Sequence, residues 1–205
     1  MSRPKRTEAE VQWRRERILA ASAAVFQRVG FAAASMDEIA REAGYSAGAL
    51  YNYFKGKDEI FVAALEQMTT QFEAVFSAEV PEGVDFEARI RWQMMRLSEV
   101  VFANRGLIMA LDGGDGPPAL GAYAPRVQDC QSKGPQMWQG ILGLGQAEGT
   151  LRTDLSPEFL SFALLGMFKG ALLPLLIATE PPTLEALHQA TSRLLDLFLD
   201  GARKP

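Results

Sequence analysis

Apolar positions recur at intervals of three and four along nearly the whole chain, and no segment sustains the strict alternation of a half-buried strand. The pattern predicts about nine helices and an all-α fold. The first helix runs from about Gln12 to Val29, with Ile18, Ser22, Val25, Phe26 and Val29 on one face and Gly30 as its stop. Ser35-Met36-Asp37-Glu38 reads as a capping box, a serine cap with glutamate three residues later. It opens a second helix whose inner stripe is Ile39, Ala40 and Ala43 and whose end is Gly44. Ser46 caps a third helix, Ala47 to about Phe54. Only Gly44 and Tyr45 separate Ala43 from that cap, so the two helices must cross steeply, as in a helix-turn-helix.

After Lys55-Gly56-Lys57, the acids Asp58 and Glu59 open a fourth helix, where the helix dipole favours them. Its stripe of Leu65, Met68, Phe72, Val75 and Phe76 reaches about Ala78. A fifth helix spans about Asp85 to Asn104, and Leu107 to Leu111 is a short sixth. GGDGPP, residues 113–118, reads as a loop. Ala119 to Ala147 reads as a seventh helix with weak points at Pro125 and Gly134-Pro135. An eighth has Pro157 in its first turn, and a ninth runs from about Thr183 to Leu199. The run from Phe159 to Ala178 is nearly long enough to cross a bilayer. Lys169 sits at its centre, however, where a charge costs at least about 2.5 kcal/mol. No membrane partner is expected; a helix apolar on most sides is buried on several of them, one of which a partner subunit can cover.

Charge adds a division that hydropathy does not show. Residues 1–57 hold ten Lys/Arg and six Asp/Glu, a balance of +4, whereas residues 58–205 hold eleven and nineteen, a balance of −8. A basic N-terminal module on an acidic body fits a nucleic-acid partner despite the overall charge of −4. The small residues Ser46, Ala47, Gly48 and Ala49 occupy the end of the third helix that would enter a major groove, where small side chains let the backbone approach base edges. Tyr51 lies one turn beyond Ala47 on the same face, with its hydroxyl placed for a phosphate. Lys57 stands at a helix start, where amides and dipole favour an anion.

The stretches ILAASAAVFQRVGF, SMDEIAREAGYSAGALYNYF and KGKDEIF together resemble the TetR family of bacterial transcriptional regulators, over about residues 14–74. The resemblance implies an all-helical homodimer. Residues 1–56 would form a three-helix DNA-binding domain with a basic arm, and residues 57–205 a helical ligand-binding and dimerisation domain. By matching position, Ser46, Ala47, Gly48 and Ala49 are the base-facing end, and Tyr51 and Lys57 the phosphate contacts. Ser35 stands where threonine is usual and keeps a hydroxyl for a cap or a phosphate. Tyr53 replaces the common histidine and Tyr45 the usual valine, so groove angle and operator sequence stay open.

Other candidates carry two readings each. Asn52 reads a base or faces water, and Tyr53 touches DNA or packs in the core. Arg3, Lys5 and Arg6 form either a solvated tail or an arm for the minor groove. Trp92, Met94, Met95 and Phe102, with Met109, Tyr123, Met137 and Trp138, suit an adaptable apolar ligand site and equally an ordinary core. Arg91, Arg96, Arg105 and Asp112 are polar anchors or solvated. On the last two helices, Phe159, Phe162, Gly166, Met167 and Gly170 face a stripe of Leu187, Leu194 and Phe198, which together would build a four-helix dimer interface.

The lone Cys130 excludes an intramolecular disulfide and fits a reducing cytoplasm. His188, the only histidine, reads as an interface residue. No nucleophile–base pair, metal-ligand spacing or phosphate loop is visible, so neither enzyme activity, cofactor nor metal is expected. The function these readings favour is a homodimeric repressor released from a palindromic operator in double-stranded DNA by a small, largely apolar effector. The alternative is an architectural or protein-partnered DNA-binding regulator.

Overall fold

Side-chain caps start several of the helices, and apolar stripes set which face each helix buries. The computed structural model describes residues 7–79, 83–112, 121–176, 178 and 182–203. Among them are the helices α1 (Glu8–Ala33), α2 (Met36–Ala43), α3 (Ala47–Leu50), α4 (Lys57–Ser77), α5 (Phe86–Ala103), α6 (Arg105–Asp112), α7 (Ala124–Ala147), α8 (Pro157–Leu176) and α9 (Leu184–Ala202). A 3-10 turn covers Gly121–Tyr123, and the one extended pairing described is an isolated bridge between Leu151 and Arg203. The fold is all-α.

Several ends differ from the hydropathy reading. Thr7 caps α1, its hydroxyl accepting from the Glu10 N–H, so the helix starts a turn before Gln12. Gly30 interrupts α1 with φ 77 and ψ 163, as its position suggested. Val29 is 36 % exposed instead of inward-facing. The third helix is shorter than expected: Asn52 N–H and Tyr53 N–H bond the carbonyls of Ala49 and Leu50, the three-residue spacing of a tightening turn. That turn delivers Phe54 to the core, 1 % exposed. Pro135 lies within α7, which runs on through it although the Gln131 carbonyl loses its helical donor. The loop expected over residues 113–118 lies outside the described residues.

The chain forms two compact units. The first comprises residues 1–66 and 106–127. Its core contains Ile18, Val25, Phe26, Ile39, Leu50 and Phe54, and α1 packs on α2 and α2 on α3. Gly106 of α6 sits against α1 so closely that a Cβ there would stand 2.7 Å from the Gln27 backbone. Arg126 grips Glu66 with two hydrogen bonds of 2.7 and 2.6 Å, and these hold its guanidinium above its ordinary pKa.

The second unit comprises residues 67–105 and 128–205. Phe86, Ile90, Met94 and Leu97 of α5 pack with Trp138 and Leu142 of α7, Leu164 and Phe168 of α8, and Leu187, Leu195 and Phe198 of α9. Arg91–Asp196 at 2.5 Å and Arg203–Glu87 at 2.9 Å tie α5 to α9 at the surface. α8 is long and apolar enough to span a membrane, with mean hydropathy 1.9. Leu160, Leu164, Phe168, Leu172 and Leu176 bury one side of it in the core, and Lys169 is exposed.

Candidate nucleic-acid interface

The helix-turn-helix begins at Ser35, whose Oγ accepts from the Glu38 N–H at 3.2 Å while the Glu38 carboxylate accepts from the Ser35 N–H at 3.1 Å. The same carboxylate accepts the Ser35 hydroxyl proton at 3.0 Å, so that hydroxyl is engaged in the cap. Gly44 ends α2 in the left-handed region, φ 76, and its N–H closes on the carbonyls of Ala40 and Arg41. Ser46 caps α3 by accepting from the Ala49 N–H at 3.3 Å.

On α3, Leu50 is wholly buried, Ala47 and Ala49 are half-buried, and Ser46 and Gly48 are exposed. A Cβ on Gly48 would meet nothing of the protein within 4 Å. Tyr51 is 56 % exposed, because Leu50 and Phe54 take the inward positions on either side of it. Asn52 is exposed and donates its side-chain N–H to the Gly48 carbonyl at 3.3 Å. Tyr53 is half-buried. Arg3, Lys5 and Arg6 lie outside the described residues.

Lys57 takes a position the sequence did not indicate. Its Nζ donates to the carbonyl oxygens of Phe31, Ala32 and Ala34 at 3.0, 2.9 and 3.1 Å, and it lies 4.8 Å from the centroid of the Phe31 ring. Two arginines behave likewise. Arg15 donates to the Tyr53 carbonyl at 2.7 Å and stacks over Phe54 at 4.2 Å, and Arg17 donates to the Ala43 carbonyl at 3.1 Å. Tyr45, in the turn, stands between the guanidinium groups of Arg14 and Arg17 at 6.0 and 5.7 Å. Sequence reading passed over Arg14, Arg15 and Arg17; the basic run beside the exposed Trp13 was the signal available.

This geometry is a helix-turn-helix with its small-residue end uncovered, and a sequence model of the family described as bacterial regulatory proteins, tetR family, matches residues 18–64. Residues 18–64 thus match the TetR family. It is similar to the HTH-type transcriptional regulator SrpR of Pseudomonas putida, 37 % identical over 76 residues, which are 37 % of this chain and 36 % of SrpR. The matched stretch thus spans about a third of that relative's length. The HTH-type transcriptional repressor KstR2 of Mycobacterium tuberculosis is 26 % identical over 156 residues, 75 % of this chain and 76 % of the repressor. Beyond the N-terminal module the fold also agrees with a solved structure, the regulator FadR from Bacillus subtilis in complex with stearoyl-CoA. Its TM-score is 0.77 at 16 % identity, covering 92 % of this chain and 99 % of that one.

The candidates in the body separate. Met109 and Tyr123 belong to the first unit, and Trp92, Met94, Met95, Phe102, Met137 and Trp138 to the second. Met94 and Trp138 are buried in its core, Phe102 packs against it, and Trp92 is 38 % exposed. Arg91 is taken by Asp196, Arg96 by Glu99, and Arg105 lies over the Phe102 ring. Of the residues expected at a dimer interface, Phe159 and Phe162 are 57 and 56 % exposed, Gly166 and Gly170 are exposed, and Met167 and Leu194 are half-buried. Leu187 and Phe198 are not available for it, because the inward face of α9 puts both in its own unit's core, at 0 and 5 %. Leu197, not anticipated, is exposed at 64 %. The His188 Nε2 is buried without a hydrogen-bond partner, and Cys130 is free and half-buried.

Proposed function

We propose that this chain is a sequence-specific DNA-binding transcriptional regulator. It acts as a homodimer on a palindromic operator and is released by a small, largely apolar ligand. Gly48 carries the DNA part of the reading. Glycine inside a helix costs about 1 kcal/mol relative to alanine. Nothing of the protein occupies the space a Cβ would need there, so the fold itself gains nothing from its absence. A surface that approaches from outside does gain. Ser46, Ala47, Gly48 and Ala49 would meet base edges, and the exposed Tyr51 a phosphate.

Dimerisation is supported by the outer side of α8. Phe159, Phe162, Gly166 and Gly170 recur at three- and four-residue steps, and neither glycine has a neighbour within 4 Å of a built Cβ. Two large apolar side chains beside two bare glycines suit a close helix–helix contact. The ligand part rests on the second unit. Its core buries Gln93 and Thr191, 1 and 0 % exposed, and their side-chain oxygens have no partner. A ligand carrying a donor group would satisfy them, and the FadR structure shows a related fold holding a molecule with a long acyl chain. Roughly 3 kcal/mol of differential binding between two dimer states would lower DNA affinity more than a hundredfold.

The test is selection from random duplex DNA at stated salt. A recovered palindrome with half-sites about 34–36 Å apart, or a multiple of that, supports a dimeric sequence reader. Failure to enrich any sequence with a folded dimer removes the assigned role of Ser46 to Ala49 and leaves the architectural reading.

A further inference from the structure

The helix-turn-helix occupies the chain between Ala34 and Lys57, and those two residues meet. Gly30 kinks α1, and in the last turn beyond it the carbonyls of Phe31, Ala32 and Ala34, at a helix end where carbonyls lack helical donors, converge on one point. They lie at the negative end of the α1 dipole, where a cation is favoured. An ammonium has three protons, and these three carbonyls account for all of them. Phe61, one turn along α4 from Lys57, packs on Phe31 with centroids 5.0 Å apart and on Phe26 at 6.1 Å. Lys57 and Phe61 therefore hold the Phe31 segment by its carbonyls and its ring together. Ala34 and Lys57 are 23 residues apart in sequence, and α2, the turn and α3 all lie within the loop they close.

We propose that Lys57 is a positioning residue for DNA recognition, closing the helix-turn-helix onto α1, and that it makes no phosphate contact. The inference rests on the DNA-binding reading above. Arg17 on the Ala43 carbonyl and Arg15 on the Tyr53 carbonyl act in the same way. The carbonyl ends of α1, of α2 and of the turn after α3 are each held by a cation from α1 or α4. A phosphate could recruit Lys57 only by taking a proton from this cradle and loosening the base of the loop that presents α3.

Full-length wild type, Lys57→Met and Lys57→Arg distinguish the two roles. Each is titrated with labelled mixed-sequence duplex and with any palindrome recovered by selection, across a range of salt concentrations and below its unfolding temperature. Loss of a phosphate contact lowers the log–log salt slope by about 0.9. The positioning role leaves the slope unchanged in Lys57→Met while affinity for the palindrome falls roughly tenfold or more. Lys57→Arg is equally telling. A guanidinium serves a phosphate well but cannot point three protons at three converging carbonyls, so it should not restore affinity. In the free protein, amide exchange in Lys57→Met should quicken across Ser35–Gly56 and stay unchanged in α5. The proposal is overturned if the slope drops by about 0.9 with exchange unaltered, or if Lys57→Arg binds like wild type. Should the wild type bind neither duplex, the DNA reading fails, and the exchange pattern still decides whether Lys57 closes the segment.

Discussion

Gln93→Met should make the protein more stable. Gln93 is 1 % exposed on α5 among Ile90, Met94 and Leu97, and its Oε1 has no hydrogen-bond partner. An unsatisfied buried acceptor costs about 1–3 kcal/mol. Methionine has nearly the same length and flexibility, and its helix propensity matches that of glutamine, so the packing and helix terms largely cancel. What remains is removal of the desolvated amide. For a chain of this size 1 kcal/mol moves the midpoint by about 2–4 °C, so the variant should melt about 2–12 °C higher. Calorimetry or far-ultraviolet dichroism reads this directly. Ser98→Ala on the same helix is the control. Ser98 is also buried, but its hydroxyl donates to the Met95 carbonyl at 2.7 Å, so its removal should lower the midpoint. If Gln93→Met melts lower than wild type, the amide is satisfied in solution and the reasoning is wrong. When release of DNA by added effectors is measured, the same variant should lose response to effectors that donate a hydrogen bond.

Three further outcomes follow from local geometry. Gly145→Ala should destabilise by about 1–3 kcal/mol, because its Cβ would stand 2.6 Å from the buried Phe86 ring. Gly140→Ala on the same helix meets nothing within 4 Å and should instead gain up to about 1 kcal/mol; urea unfolding of the pair gives both signs. Ser35→Ala removes both hydroxyl bonds of the capping box and should cost about 1 kcal/mol in thermal unfolding, with Ser35→Thr near neutral. Hydrogen bonding to Arg152 holds the Asp154 carboxyl below its ordinary pKa. The stabilisation it gives is present above the unfolded value, near 3.9, and is lost as pH falls through the lower folded value. Asp154→Asn should therefore flatten the acid limb of the stability curve, and carbon NMR of the carboxyl should place its titration below that of a model peptide.

Local spacing made the capping box, the Gly44 stop and the Gly30 break readable, since each depends on residues within one turn of chain. What the sequence left open was settled by partners far away in it. α3 closes in a tight turn whose last carbonyl is held by Arg15, 38 residues earlier. On α9 the apolar positions form more than one stripe, and only the placement of α5 and α8 decides that Leu187 and Phe198 turn inward while Leu197 does not. In the body, Met94 and Trp138 could be named, but no spacing rule assigns them to a ligand site or to a core.

Lys57 shows why charge counting overstates what a basic module offers to DNA. The balance of +4 over residues 1–57 was the strongest compositional sign of a nucleic-acid partner. Yet Lys57, Arg15 and Arg17 are spent on carbonyls within the fold, and Arg28 on Glu42 at 3.2 Å. Such cations lower the internal cost of exposed helix ends and release few counterions when DNA binds. Arg41 and Lys55 are exposed, and the arm of Arg3, Lys5 and Arg6 carries charge of its own. On the proposed DNA-binding reading, the shape of the bare α3 end would then supply a larger share of recognition than the charge suggests. A regulator built this way depends on the angle at which α3 is presented. On the positioning role proposed above, the cations that hold that angle would matter to DNA binding without touching DNA.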